Sequence, residues 1–464
     1  MLTSRFRNAQ GYATTAASAE AVARLDDAIT GYLAARADAR RRLDHARESD
    51  PDAVLAHCLD GYLHMLTGTR ESLAAARTAA RHAAARAARA PVTARERHHV
   101  AALDAWAAGD WREAVRQWGR LLAEYPRDLL AIRVSQFALS YLGESRGMAT
   151  TMAGVLDAWR PGDPGYGFVL GCQAYALEEA GDYDRAEVTG RRAVELNPAD
   201  IWAAHAVAHV REMRGQLREG VAWIAELGDQ WTAAPDFAAH LRWHEGLFRL
   251  ELGEDREVLA LYDRAVRPRE GGQYLDVVNA VSLLWRLEQA EVEVGSRWRE
   301  LGPLTTIHLV DHALVFADLH YVMALAAIGD ADQLAAFRDS CARFAGGGGT
   351  EAQVMANVGL ALADGVMAHR RGAYGEAVDR ILPVRASIRQ VGGSHAQRDL
   401  FELLLIDAAC RDGRWALAAE LLAERVASRP GNRWGWAHLA RAREALGQPG
   451  AVEARRTLDR LRAP

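Results

Sequence analysis

The chain has 464 residues, half of them hydrophobic and a quarter charged, with a net charge of −5. This is a globular composition with ample core material, and no basic block offers phosphates a face, so nucleic acid is not expected as a partner. All 56 basic residues are arginine, which excludes a Schiff-base lysine, hence pyridoxal phosphate chemistry, and also the P-loop and kinase lysines.

The arginine bias itself reads as the mark of a GC-rich bacterial genome. No window approaches the roughly 18 apolar residues of a membrane span, and the opening MLTSRFRNAQGYATTAASAEAV has no continuous apolar core, so no secretory leader is expected. Cys58, Cys172, Cys341 and Cys410 lie far apart with no CxxC pair. That is the pattern of reduced, mostly buried thiols, and the cytoplasm is the expected location.

Residues 1–50 are expected to form an N-terminal helical cap, and residues 51–464 a continuous array of helical repeats. Apolar residues recur at three- and four-residue spacing, and the helices come in pairs. ALDAWAAGDWREAVRQWGRLLAEYP closes at Pro126, YALEEAGDYDRAEVTGRRAVELNP at Pro198 and RDGRWALAAELLAERVASRP at Pro430. Each is a helix, a turn built on glycine, a second helix and a terminal proline.

Turn glycines fall at Gly68, Gly109, Gly143, Gly181, Gly215, Gly253, Gly295, Gly329, Gly372, Gly413 and Gly447, and four of the ten intervals are 34 residues. That is the tetratricopeptide period. Ala114, Ala186 and Ala377 sit five residues after their glycines, where paired helices approach. The predicted fold is all-α: a tetratricopeptide-like α-solenoid of about eleven helical hairpins in an irregular superhelix. RPGDPGYG, at 160–167, reads as a turn. The tetraglycine at 346–349 reads as a flexible connection, and two halves hinged there are the alternative.

AAHAVAHVREMRG places His205, His209 and Glu212 at 10, 6 and 3 residues before Gly215, on one helix face within an arc of about 60°. HLRWHEG repeats the pattern 35 residues later with His240 and His244. Two His(i)/His(i+4) pairs on adjacent helices are candidate ligands of a divalent metal, zinc, manganese or iron. FADLHYVMAL adds Asp318 and His320 to that candidate set if the superhelix curls tightly, and LDVVNAVSLLWRLE adds Asp276 and Asn279. The competing reading makes these residues the ordinary polar lining of a groove. Ala206 follows His205, so no HExxH base is built in.

VGGSHAQRDLF, from Val391 to Phe401, ends one helix on two glycines and begins another with Ser394 and Gln397 in a capping box. Capping leaves His395, Arg398 and Asp399 unexplained. Trp106, Trp202, Trp243, Trp285 and Trp436 read as core or groove wall. Trp243 is the candidate substrate contact, together with Asp276, Asn279, Ser394 and Gln397.

These motifs resemble the tetratricopeptide repeat protein 38 family over about Asp52 to Pro430, in PGYGFVLGCQAYALEEAGDYDRAEVTGRRAVELNPADIWAAHAVAHVREMRG, HLRWHEGLFRLELG, LYDRAV, SLLWRLE, FADLHYVMAL and GGSHAQRDLF. The resemblance implies a helical repeat fold and, as family motif positions, His205, His209, His244, Asp318, His320 and Ser394 to Asp399. Two places depart from it: Gln136 and Phe137 stand where a His-Asp pair is expected, and Asn279 where a second aspartate is. If those positions hold metal or substrate, the chemistry here is altered or lost.

Two functions stay open. In one, a His/carboxylate pocket in the concave groove binds a small molecule with a divalent metal and hydrolyses an amide or ester. His209, Glu212, His395, Arg398 and Asp399 are then the catalytic candidates, with Arg398 neutralising an anionic group. In the other, the solenoid is a non-catalytic scaffold for a peptide or protein partner.

Overall fold

The turn between the helices Tyr166–Glu179 and Tyr183–Leu196 shows how one unit is built. Gly181 has φ 86°, a left-handed conformation that costs glycine nothing, and it stops the first helix. Asp182 caps the second, its carboxylate accepting from the Arg185 N–H at 3.4 Å. Asp110 and Asp330 follow Gly109 and Gly329 and repeat the device. All eleven anchor glycines have φ between 63° and 91°, and each joins two paired helical segments. The predicted register of eleven hairpins is the register observed.

The computed structural model describes residues 5–228, 231, 233–268 and 273–462. Ahead of the eleven hairpins lie the helices Ala19–Leu33 and Ala39–Ser49, preceded by a two-stranded antiparallel ribbon of Arg5–Arg7 and Ala13–Thr15. The ribbon does not follow the helical pattern of the rest. Glu96 holds it, accepting from the Thr15 N–H at 2.9 Å and the Thr15 hydroxyl at 2.8 Å.

Stretched intervals accommodate irregular turns. A wide π-type turn occupies Tyr262–Val266, another Met355–Gly359, and a 3₁₀ segment runs over Leu382–Val391. Ala114, Ala186 and Ala377 are fully buried, as close helix approach requires.

The superhelix curls until distant hairpins touch. The Arg70 N–H donates to Asp311 at 2.8 Å, the phenols of Tyr141 and Tyr274 meet at 2.9 Å, and the Thr350 N–H donates to the Gly109 carbonyl at 2.9 Å. Farther on, the His395 N–H donates to Glu179 at 2.9 Å, while the Gly215 and Gly431 turns pack backbone to backbone. One large apolar core extends from Leu25 to Ala454, and a second, from Ile201 to Phe248, belongs to the fifth and sixth hairpins. No helix among the described residues is long and apolar enough to cross a membrane.

Candidate metal centre and adjoining cavity

The helix Ile201–Arg214 starts at Asp200, whose Oδ1 accepts from the N–H groups of Trp202 and Ala203 at 3.1 and 3.3 Å. Buried Ala204 and Ala208 occupy its flanks, so the first helix of the next hairpin, Pro235–Leu252, lies close alongside. A 35-residue offset therefore sets His205 and His209 against His240 and His244. One side-chain nitrogen from each of the four lies within 4.8 Å of the others. The rings are 3 % exposed or less, packed between the two helices.

Hydrogen bonding fixes which nitrogen faces inward. His209 Nδ1 lies 3.2 Å from Glu178 Oε2, His244 Nδ1 3.1 Å from Glu212 Oε2, and His240 Nδ1 2.9 Å from Asn279 Oδ1. Each oxygen is an acceptor, so each Nδ1 carries a proton, and in the neutral form of each ring Nε2 keeps its lone pair. His205 Nε2 faces His209 Nε2 at 2.8 Å and His240 Nε2 at 3.0 Å. One proton on His205 can satisfy only one of those lone pairs, and His244 Nε2 has no protein partner.

Burial, then the neighbouring imidazoles, drive His205, His240 and His244 well below the ordinary histidine value, so they are neutral. Burial also pulls His209 down, but the Glu178 charge outweighs it and raises His209. Burial raises Glu178 in turn, and the His209 charge opposes that rise. Glu179, next along the helix, is pushed up by burial, yet Arg398, His395 and His209 hold it below its usual range.

His205 and His240 also form part of the wall of a cavity of about 280 Å³. Phe137, Tyr141, Tyr175, Trp202, Phe237 and Tyr274 line much of the rest, with Arg133, Gln136, Ser394 and Gln397 among the polar groups. Tyr175 stacks on His205 at a centroid distance of 6.0 Å, and its phenol meets Ser140 at 3.0 Å. The Arg133 guanidinium lies 3.7 Å above the Trp202 ring.

No protein-family model matches the chain. It is similar to the TPR domain of P58(IPK), 14 % identical over 79 % of this chain and 93 % of that one, with a TM-score of 0.22. It is also similar to a human IFIT1 dimer with m7Gppp-AAAA, 14 % identical over 95 % and 96 %, with a TM-score of 0.37. Likeness at this level says nothing about the site.

The remaining candidates divide between this site and others. Glu212 and Asn279 join it as hydrogen-bond partners of His244 and His240. Trp243 backs the imidazoles instead of lining the cavity: it is fully buried and stacks on His240 at 5.2 Å. Ser394 and Gln397 form the expected capping box and also reach the cavity wall. His395 and Arg398 turn to Glu179, with His395 Nε2 3.3 Å and the Arg398 guanidinium 3.4 Å from Oε2. Asp399 pairs with Arg425 at 2.5 Å, and Asp276 caps its own helix, accepting from the Gln273 N–H at 3.2 Å.

Asp318 and His320 do not join the four histidines, contrary to expectation. Asp318 faces His312 Nδ1 at 3.0 Å, His312 Nε2 meets Ser340 Oγ at 2.8 Å, and Cys341 completes that separate group. His320 donates from Nδ1 to the Phe316 carbonyl at 2.7 Å. Both sit two hairpins beyond His244, and partners from their own hairpin take them up.

Glu178 is the principal residue that sequence reasoning missed. Its signal was register: it stands three residues before Gly181, as Glu212 stands three before Gly215.

Proposed function

We propose that the chain is a metal-dependent small-molecule protein in which the Nε2 atoms of His205, His209, His240 and His244 hold one divalent transition ion at the end of the aromatic cavity. One observation carries the reading: three buried imidazoles are each anchored through Nδ1, to Glu178, Glu212 and Asn279, so that their lone pairs converge. Metal-binding histidines are oriented in this way, and the anchoring carboxylates raise their basicity. Unfilled, the arrangement sets neutral acceptors against one another in a dry interior, which is costly.

The two inner contacts of 2.8 and 3.0 Å are short enough for these nitrogens to share one ion at bonds of about 2.05 Å. An ion held there would supply Lewis acidity toward a carbonyl oxygen, and hydrolysis of an amide or ester is the reaction proposed. The protein's own residues orient the imidazoles, exclude water and hold the ligand.

We also infer membership of the tetratricopeptide repeat protein 38 family, because the segments carrying that resemblance, HAVAH and RWHEG, supply three of the four histidines that meet. A non-catalytic scaffold is the second reading. It is favoured by a second groove of about 720 Å³, lined by Arg286, Arg433 and Trp434 together with the ion pairs Asp399–Arg425 and Glu212–Arg429, a mixed-charge surface open to a peptide or protein partner. The absence of a nucleic-acid partner is part of the proposal and rests on overall charge alone.

Elemental analysis of protein purified without a histidine tag tests the metal reading. One equivalent of zinc, manganese or iron, lost in a folded His205→Ala/His209→Ala variant, supports it. Metal-free protein that takes up no added ion overturns it and leaves the scaffold.

A further inference from the structure

Two polar groups in the cavity wall are unmatched. Arg133 is 6 % exposed, its cation lies against the Trp202 face, and among the described residues no carboxylate comes within ion-pair distance of it. Its polar neighbours are the neutral Tyr32 and Cys172 side chains. Asp200 is the acid whose charge acts on the guanidinium, but without direct contact: its Oδ1 caps its helix and its Oδ2 is buried without a hydrogen-bond partner. A buried guanidinium with no carboxylate in direct contact is costly, and it is the group best suited to receive one.

The second group is Gln136, one helical turn along from Arg133. Its amide nitrogen donates to the Cys172 carbonyl at 2.7 Å, which directs its Oε1 the other way, and that oxygen is buried with no donor. A buried acceptor left unmet is costly. The cavity therefore presents a cation lacking a carboxylate in contact and an acceptor lacking a donor. Aromatic rings surround both, with His205 and His240 in the same wall.

We propose that the ligand of this cavity is a small aromatic N-acyl amino acid. Its carboxylate pairs with Arg133, its amide N–H donates to Gln136 Oε1, and its ring packs among Phe137, Tyr175, Trp202 and Phe237. A volume of about 280 Å³ is close to the lower end of small-molecule sites, which limits the ligand to about one ring and one amino acid. The amide makes this a substrate class for the proposed function, and the inference rests on that reading for reaction though not for binding.

Titration calorimetry with three probes tests it: hippurate, its methyl ester, which lacks the charge, and N-methylhippurate, which lacks the N–H. The expected result is hippurate binding at least tenfold tighter than either analogue, with the preference over the ester lost in Arg133→Met and that over N-methylhippurate lost in Gln136→Leu. Equal affinities, or no hippurate binding, overturn the proposal. The comparison on the wild-type chain decides even if a variant fails to fold. Repeating it on chelator-treated protein separates the two ideas: discrimination by a protein that never holds metal keeps this inference and removes the metal reading. Metal without discrimination does the reverse.

Discussion

Nδ1 of His209 lies 3.2 Å from Oε2 of Glu178, across 31 residues of chain, and neither side chain is more than 1 % exposed. The contact places a proton on Nδ1 of one of the four imidazoles and brings a negative charge to a histidine that faces inward.

Glu178→Gln keeps an acceptor for that N–H and removes the charge. Metal affinity, measured by competition with a chromophoric chelator, is expected to fall roughly 10- to 100-fold, the usual effect of losing such a partner. Unchanged affinity would mean that the carboxylate does not act on the site.

Asp200 gives a pH dependence. Burial raises its carboxyl from 3.8 to about 7, so folding favours the protonated form. The stability contributed by that form is complete below the unfolded value and is lost as pH rises through about 7. Asp200→Asn, which keeps a capping side chain, does not lose it. In urea titrations with chelator present, the variant is expected to gain on wild type between pH 4 and 8. The upper limit is about 4 kcal/mol, from about three units at ~1.36 kcal/mol each. A constant difference across that range would remove Asp200 as its source.

Closure of the superhelix is tested at Gly431. A Cβ there would lie 2.7 Å from Gly215 Cα, so Gly431→Ala must push the eleventh hairpin from the fifth, at a cost of about 1–3 kcal/mol. Gly154 has nothing within 4 Å of its Cβ position, and Gly154→Ala is expected to stabilise its helix by about 0.5–1 kcal/mol. Thermal melts should move in opposite directions. A neutral Gly431→Ala would show that the turns do not press on each other.

Ser394 is a cap whatever else it touches. Ser394→Ala is expected to cost about 0.5–2 kcal/mol in stability without changing metal content, and Ser394→Thr to restore most of it. A variant equally stable but unable to hold metal would assign Ser394 to the metal site itself.

Much of this was legible in the sequence because the signals were local. Each turn glycine is read from its own hairpin, and the Ser394–Gln397 cap from four residues. The two histidine pairs met because adjacent repeats stack in register, so a spacing of 35 residues is nearly a spatial statement. Asp318 could not be placed in this way: whether it reaches His244 depends on the summed rotation over two hairpin intervals, of which the first is stretched and contains a wide turn at Tyr262–Val266. Glu178 was hidden for a different reason. Beside Glu179, before an exposed turn, it looks like surface charge, and only the neighbouring repeat buries it against His209. The N-terminal ribbon has three-residue strands, too short for an alternating pattern to register.

The most direct measurement is X-ray absorption at the metal edge of untagged, purified protein. The account expects a first shell containing four nitrogens with the multiple scattering of imidazole, falling by two such rings in a folded His205→Ala/His209→Ala variant. A shell of oxygen or sulfur with fewer than two imidazoles, or no metal edge at all, would contradict it.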